Sequence, residues 1–96
     1  MWLKKLIVTD FIKEKIWEKH QVSRLEVEEC LVNRRHVRLK HTKNPARSVV
    51  LSATQNGRLL KIILEFQGQG RYFLVTALEM EPREKRRYGK KIKGGS

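Results

Sequence analysis

The stretch RSVVLSATQNGRLLKIILEF, residues 47–66, sets the architecture of this chain. Asn56-Gly57 stands between two largely apolar runs, and this dipeptide is the strongest short signal for a β-hairpin because both residues tolerate the positive φ of a type I′ turn. Arg47 to Gln55 is therefore predicted to be one strand, and Arg58 to Phe66 its antiparallel partner.

Two further strands are predicted on either side of this hairpin. From His36 the hydrophobic period is two, because Val37 and Leu39 alternate with polar neighbours, and this pattern is typical of a strand with one solvated face. The segment Tyr72 to Leu78 is almost wholly apolar, as in a strand covered on both faces. The sequence from His36 onward thus predicts an antiparallel meander of four strands.

A short strand and a first helix come before the meander. Leu3 to Val8 is a brief apolar run that suits a strand, and Asp10 stands at the N-cap position of a helix from Phe11 to His20. Ile12 and Ile16 form a stripe on this helix. The stripe predicts that one face of the helix is buried.

A second helix is predicted from a capping box. Ser23 and Glu26 have the spacing at which each side chain accepts a hydrogen bond from the backbone of the other. The helix is expected to run from Arg24 to about Asn33. Cys30 lies on its packing stripe, so we interpret it as a core residue rather than a nucleophile.

The chain is predicted to end in a short basic helix. Pro82 suits the first turn of a helix and Gly89 its end, so the helix is expected to span Glu81 to Tyr88. Residues 1–93 are expected to form a single domain, with residues 94–96 as a flexible tail. The fold class is α+β: a strand, two helices packed on one face of a mainly antiparallel sheet of four to five strands, and the basic helix.

The charge of the chain indicates an anionic partner. Lys and Arg number 22 against 10 Asp and Glu, a net charge of +12, whereas solubility needs a net charge of only about 2 to 8 on a small domain. Nucleic acid is preferred over a membrane surface, because no predicted helix combines a basic face with a large apolar one. A single cysteine and the lack of a long apolar stretch favour the cytoplasm.

The residues present suit RNA cleavage without a metal or other cofactor. His20, His36 and His41 lack the spacing of a metal site and a second cysteine, and we therefore expect no metal ligands. RNA carries its own nucleophile, the 2′-hydroxyl. A protein needs only to orient this group, assist proton transfer and stabilise the phosphoryl oxygens with cations, which Arg and Lys with one nearby Glu or His can do.

Residues with this chemistry fall near strand ends and in the last helix. Some of them also have structural interpretations. Lys61 and Glu65 point to the same side of a strand and can form an ion pair with each other, and Arg83 and Arg87 can form a solvated ridge. The candidates are Arg38, Lys40, Arg47, Lys61, Glu65, Glu79, Arg83 and Arg87.

Several short motifs resemble those of BrnT-type toxins, in the RelE/ParE-like superfamily. Within Lys13 to Glu29, Lys19-His20 followed by Val22-Ser23 is similar to the family's lysine, histidine, glycine, valine, serine segment. Thr76 to Met80 resembles its last strand end, and Arg83 to Tyr88 its arginine-rich helix. Gly57 to Leu60 also fits. The resemblance covers Val8 to Tyr88 and has the element order predicted above.

The resemblance implies a metal-free endoribonuclease toxin, in which the 2′-hydroxyl attacks the phosphate. Such a toxin cleaves mRNA, on the ribosome or free, blocks translation, and is neutralised by a cognate antitoxin, usually a ribbon-helix-helix protein. Matching positions point to Lys19, His20, Arg47, Arg83, Arg87 and Tyr88. With the candidates above, the predicted catalytic set is Lys19, His20, Arg47, Glu79, Arg83 and Arg87. The predicted RNA-binding set is Arg38, Lys40, Lys61, Arg86 and Tyr88.

The chain departs from the family pattern at two positions. Gln21 replaces a glycine, which is expected to change only a turn, and Leu78 replaces an arginine that would serve the phosphate. Strict alternation places Leu78 on the same side of its strand as Tyr72 and Leu74. Two other functions stay open, a non-catalytic RNA-binding module and a degenerate toxin kept as a protein-binding partner.

Overall fold

The computed structural model describes residues 2–94, which form helices and strands in the predicted order. No helix in this range has the length and apolar character needed to cross a membrane. The elements are β1 (Lys5–Ile7), α1 (Asp10–His20), α2 (Arg24–Val32), β2 (Val37–Lys40), β3 (Arg47–Ala53), β4 (Leu59–Phe66), β5 (Arg71–Glu79) and α3 (Pro82–Gly94).

The strands form one mixed sheet in the order β1-β5-β4-β3-β2. The four-stranded antiparallel meander is confirmed, and β1 adds to it by pairing parallel with β5. The β3–β4 hairpin turns at Asn56-Gly57 as predicted, and Gly57 has a φ of +85°. The α+β fold class is therefore correct.

Helices α1 and α2 cover one side of the sheet, which we call the helix face. The predicted stripes are confirmed, because Ile16, Val27 and Cys30 are completely buried. Burial raises the pKa of the Cys30 thiol to about 12, so this cysteine is a core residue. The sheet contributes the buried side chains of Val50, Leu60, Ile62, Leu64, Tyr72, Leu74 and Ala77 to the same core.

Helix α3 partly covers the opposite side of the sheet, which we call the outer face. It was predicted to span Glu81 to Tyr88 but runs from Pro82 to Gly94. Tyr88 and Ile92, one helical turn apart, pack in a second apolar cluster with Leu51. A glycine inside a helix costs only about 1 kcal/mol relative to alanine, and this packing outweighs that cost. Of the tail predicted at 94–96, residues 95 and 96 lie outside the described residues.

A β-bulge in β5 changes which side chains reach the outer face. Ile63 pairs with Thr76 and Leu64 pairs with Leu74, so Val75 is an extra residue in the ladder. One inserted residue reverses the alternation beyond it. Leu78 therefore lies opposite Lys61 on the outer face, not on the side of Leu74 as strict alternation predicts.

The helix starts are capped by side chains. The capping box of α2 is confirmed: the Ser23 hydroxyl accepts a hydrogen bond from the Glu26 backbone N–H, and the Glu26 carboxylate accepts one from the Ser23 N–H. The N-cap of α1 is Thr9 rather than Asp10, because the Thr9 hydroxyl accepts from the Ile12 N–H at 3.2 Å. Helix α1 thus begins at Asp10, one residue earlier than expected.

One arginine connects three elements at the end of the helix layer. Arg58 donates hydrogen bonds to the backbone carbonyls of His20 (3.0 Å) and Gln21 (2.7 Å) at the end of α1. It also pairs with the carboxylates of Glu26 at 3.0 Å and Glu79 at 3.3 Å. Burial acts to raise the pKa of Glu26, but hydrogen bonds from Ser23 and Arg58 hold it below its usual value.

Gln21, at the position of the family glycine, has a left-handed backbone. Its φ of 56° and ψ of 36° end α1, and its N–H donates to the carbonyls of Ile16 and Trp17. The helix end requires this conformation, which glycine adopts without a steric penalty. Gln21 is therefore less suited to this turn than the glycine that the resemblance predicts at its position.

We expect Gln21→Gly to raise the free energy of unfolding by about 1 kcal/mol relative to Gln21→Ala. Alanine is the matched control, since both variants lose the Gln21 side-chain hydrogen bond to the Glu18 carbonyl and only alanine keeps the strain. Urea unfolding measures the difference. Equal stabilities would show that the left-handed backbone at position 21 carries no cost.

The Glu26–Arg58 pair is expected to make stability dependent on pH. Because the pKa of Glu26 is lowered on folding, its contribution is complete above the unfolded pKa of about 4.3 and is lost as pH falls through the folded value. At pH 7 Glu26→Gln should therefore lower the free energy of unfolding by about 2 kcal/mol.

Urea unfolding between about pH 7 and pH 3 tests this expectation, since the difference between wild type and Glu26→Gln should shrink toward the acid end. Glu28→Gln is the matched control, because Glu28 pairs with Arg24 on the same helix but is 47% exposed. It should change stability by less than about 0.5 kcal/mol. A difference for Glu26→Gln that stays constant across the range would contradict the proposed linkage.

Candidate active site

A groove of about 460 Å³ lies between the outer face of the sheet and α3. Its floor is formed by apolar residues of three strands. Its rim carries charged and polar side chains from the end of β2, from β4 and from α3. We call it the α3 groove, and its lining residues are Leu39, Lys40, His41, Thr42, Val49, Leu51, Lys61, Ile63, Glu84 and Arg87.

An ion pair joins the sheet to α3 inside the groove. The Lys61 Nζ lies 2.8 Å from the Glu84 Oε2, and these side chains are only 21% and 22% exposed. The second carboxylate oxygen of Glu84 accepts a hydrogen bond from the Glu81 N–H at 2.9 Å. Pro82 begins the helix, so Glu84 stands where side chains commonly reach back to the first turn. Both carboxylate oxygens of Glu84 are thus held in place.

The His41 ring is also held in a defined orientation. Its Nδ1 accepts hydrogen bonds from the backbone N–H groups of Lys43 (3.2 Å) and Asn44 (3.1 Å). An accepting Nδ1 carries no proton, so in the neutral ring the proton is on Nε2. His41 therefore offers a hydrogen-bond donor to the groove it lines.

An exposed cation on α3, Arg87, lines the groove with Lys61. Lys40 borders the groove at the end of β2, but its register with Ser48 directs its side chain toward the helix face. The groove thus combines two cations, one carboxylate and one imidazole, with a third cation at its edge. Cations can bind the oxygens of a phosphate, while the carboxylate and the imidazole can accept and donate protons.

Arg47 and Glu79, two other predicted catalytic residues, lie outside the groove. Arg47 is on the outer face and pairs with Glu65 at 3.3 Å, four residues along β4 from Lys61, or about 13 Å. At this distance Glu65 cannot pair with Lys61, which pairs with Glu84 instead. Glu79 lies opposite Leu60 on the helix face, where it pairs with Arg58.

Lys19, His20 and Arg38 are likewise not in the groove. Lys19 is exposed near the end of α1, and the carbonyl of His20 accepts from Arg58. Arg38 lies on the helix face, with its guanidinium 3.9 Å from the centre of the Trp2 ring. It also reaches the Tyr72 hydroxyl at 3.5 Å. The structure thus separates these predicted residues from the groove.

The arginine-rich helix has exposed and buried members. Arg83 and Arg86 are exposed on α3 but do not line the groove. Tyr88, predicted to bind RNA, is only 5% exposed and packs in the second apolar cluster. Burial also raises its pKa. Its ring offers no free face to a base, so its place in the fold is that of a core residue.

The sequence-based prediction missed three polar groove residues: His41, Thr42 and Glu84. The alternation of β2 could have placed His41 with Leu39 on the outer face. Pro82 could have marked Glu84 as the third residue of a helix. Within residues 2–94, no group of three or more His, Cys, Asp or Glu residues is arranged to hold a metal ion.

Comparisons with known proteins find similarity at the level of structure. No protein-family model matches the chain, and no curated protein is significantly similar to it in sequence. The crystal structure of the ribonuclease toxin BrnT from Brucella abortus superimposes with a TM-score of 0.65 at 11% sequence identity. The match covers 80% of this chain and 96% of that one. The chain therefore has a BrnT-like fold.

Proposed function

We propose that this protein is a ribonuclease toxin that cleaves RNA at the α3 groove without a metal ion. The observation that supports the proposal best is the meeting of His41, Lys61, Glu84 and Arg87 in one groove. The similarity to BrnT, a ribonuclease toxin, points to the same activity. The net charge of +12 suits an RNA substrate.

In the proposed reaction the RNA supplies the nucleophile. Glu84, ionised and paired with Lys61 at 2.8 Å, accepts the proton of the 2′-hydroxyl as the oxygen attacks phosphorus. The bond from phosphorus to the 5′-oxygen breaks, the His41 Nε2–H stabilises the leaving oxygen by donating a hydrogen bond to it, and this oxygen takes its proton from a water molecule. The products are a 2′,3′-cyclic phosphate and a 5′-hydroxyl, and the hydroxide left by the water takes the proton from Glu84, so protons and bonds balance.

The groove cations have a separate role in this mechanism. Lys61 and Arg87 stabilise the negative charge that develops on the phosphoryl oxygens, and Lys40 binds the neighbouring backbone. Lys61 extends from the sheet and is held by Glu84, so little reorganisation is needed when charge develops. Arg83 and Arg86, exposed on α3, extend the positive surface for the strand. The proposed mechanism gives no step to the predicted residues outside the groove, which are Lys19, His20, Arg38, Arg47 and Glu79.

The biological setting follows from the same proposal. Cleavage of mRNA, free or on the ribosome, would block translation in the cytoplasm, and an antitoxin of the ribbon-helix-helix type would neutralise the toxin. We place the protein in the RelE/ParE-like superfamily on the same grounds. An inhibitor that covers the α3 groove must offset its positive charge, so the antitoxin segment there is expected to be acidic.

Purified protein incubated with end-labelled RNA in EDTA should yield fragments that end in 2′,3′-cyclic phosphate. His41→Asn should lower the single-turnover rate by about 10² or more, because asparagine keeps an acceptor for the Lys43 and Asn44 N–H groups but has no donor at the position of the His41 Nε2. Glu84→Gln should act similarly, since the amide oxygen still accepts from the Glu81 N–H. Denaturing gels and mass spectrometry of the ends provide the measurement.

Arg71→Ala is the matched control, because Arg71 is exposed at the start of β5, away from the groove. It should leave the rate unchanged. RNA that is bound but not cleaved would favour the non-catalytic RNA-binding module. Neither binding nor cleavage would favour a degenerate toxin kept as a protein partner. Cleavage that His41→Asn and Glu84→Gln leave intact would place the chemistry elsewhere.

Position 78 offers a gain-of-function test. Leu78 lies directly across from Lys61 on the outer face, where cross-strand side chains are about 5 Å apart. Leu78→Arg would add a forked cation beside the ion pair and should raise the cleavage rate about tenfold or more over Leu78→Ala, since one preorganised group contributes about 10² to 10³ elsewhere. Single-turnover kinetics with thermal unfolding as a folding control measure this. A folded arginine variant no faster than the alanine variant would place position 78 outside the reaction.

A further inference from the structure

A second cavity, separate from the α3 groove, has walls made largely of basic residues. It has a volume of about 560 Å³ and lies between the turn after α2 and the last turns of α3. Among residues 2–94, its lining contains no carboxylate. We call it the basic cavity, and its lining residues are Arg34, Arg35, His36, Val37, Lys91, Ile92 and Lys93.

The turn that carries the two arginines is firmly held. The Asn33 side chain donates to the Ala53 carbonyl at 3.0 Å and accepts from the Arg35 N–H at 2.9 Å. The Asn33 carbonyl accepts from the His36 N–H at 3.1 Å and lies 2.7 Å from the His36 Nδ1. The arginines therefore project from a backbone with defined positions.

Three cations of the basic cavity, Arg34, Arg35 and Lys91, are not balanced by carboxylates of the described residues. Within residues 2–94, no ion pair involves Arg34, Arg35 or Lys91. In the α3 groove, by contrast, Glu84 balances Lys61. Lysines in the last turn of α3 also suit the negative end of the helix dipole, but this does not explain two arginines from another element in the same cavity.

The two cavities are neighbours on one surface. Val37 lines the basic cavity and Leu39 the α3 groove, and two residues along a strand span about 7 Å. On α3, Arg87 lines one cavity and Lys91 the other, and four residues along a helix span about 6 Å. A nucleic-acid strand seated in the groove would reach the basic cavity within a few nucleotides.

We propose that the basic cavity binds backbone phosphates of the RNA outside the cleaved nucleotides, which makes it a subsite that favours longer substrates. The inference rests on the proposed function, because it takes RNA as the ligand. Paired arginines suit phosphate, since each guanidinium can donate two parallel hydrogen bonds to its oxygens. Continuity with the α3 groove favours an RNA strand over an acidic protein segment.

The test compares binding of short and long RNA. Uncleavable 2′-O-methyl RNA of about four and about twelve nucleotides covers the range of single-strand site sizes. Arg34→Ala/Arg35→Ala should raise the Kd of the longer RNA about tenfold and leave that of the shorter one unchanged. It should also lower the log-log salt slope for the longer RNA by about 1.4, since each phosphate contact contributes about 0.7. Fluorescence anisotropy provides both quantities.

Lys13→Ala/Arg71→Ala is the matched control, because it removes the same charge from exposed positions away from α3. Equal weakening by the two double variants, or no weakening of the longer RNA, would overturn the proposal. Loss of binding to a polyglutamate peptide with unchanged RNA binding would also overturn it, in favour of an acidic protein partner. If the arginine variant does not fold, Lys91→Ala should lower the slope by about 0.7, and an unchanged slope would overturn the proposal.

The failure of the proposed function would be distinguishable from the failure of this inference. Suppose that binding depends on RNA length and requires Arg34 and Arg35, but natural RNA is not cleaved. This result would support the subsite and contradict the proposed ribonuclease activity. Cleavage that depends neither on RNA length nor on these arginines would support the ribonuclease activity and contradict the subsite.

Discussion

The arrangement of the helix layer depends on the ion-pair network of Arg58. This side chain joins the end of α1, the capping box of α2 and the end of β5, using hydrogen bonds to two backbone carbonyls and to the carboxylates of Glu26 and Glu79. The carbonyls of a helix end have no partners within the helix, and a partly buried guanidinium needs acceptors. Each therefore satisfies the other, and Arg58 connects the end of α1 and the start of α2 to the end of β5. Glu79 serves in this network, which accounts for its distance from the groove.

The two cavities on the outer face of the sheet depend on the length of α3. Because Tyr88 and Ile92 pack beside Leu51, the helix lies on the sheet beyond Gly89 and leaves a cavity on either side of this contact. An apolar contact thus positions the charged groups: Glu84 and Arg87 toward one cavity, and the last lysines toward the other. Basic residues that would otherwise be a solvated ridge become walls of two adjacent sites.

The two cavities differ in charge balance, and this difference suits different tasks. In the α3 groove a carboxylate and an imidazole with defined hydrogen bonds accompany the cations, as proton transfer requires. In the basic cavity the arginines of the Arg34-Arg35 turn have no ion-pair partners among residues 2–94, which suits binding of an anion rather than chemistry. Under the proposed function, the surface has one reacting position and an adjoining position for backbone phosphate.

Local physics in the sequence determined the element order, the Asn56-Gly57 hairpin, the α2 capping box, the buried stripe that includes Cys30, and the basic character of the chain. These features depend on neighbours a few residues apart, so periodicity, turn residues and caps reveal them.

Only the tertiary structure decided the contents of the groove. The side of Leu78 depends on a bulge in β5, and the end of α3 depends on packing that outweighs a glycine. Glu84 meets Lys61 through a contact between elements distant in sequence. Local sequence patterns do not reveal contacts between elements that are distant in sequence. The candidate site is formed by such contacts.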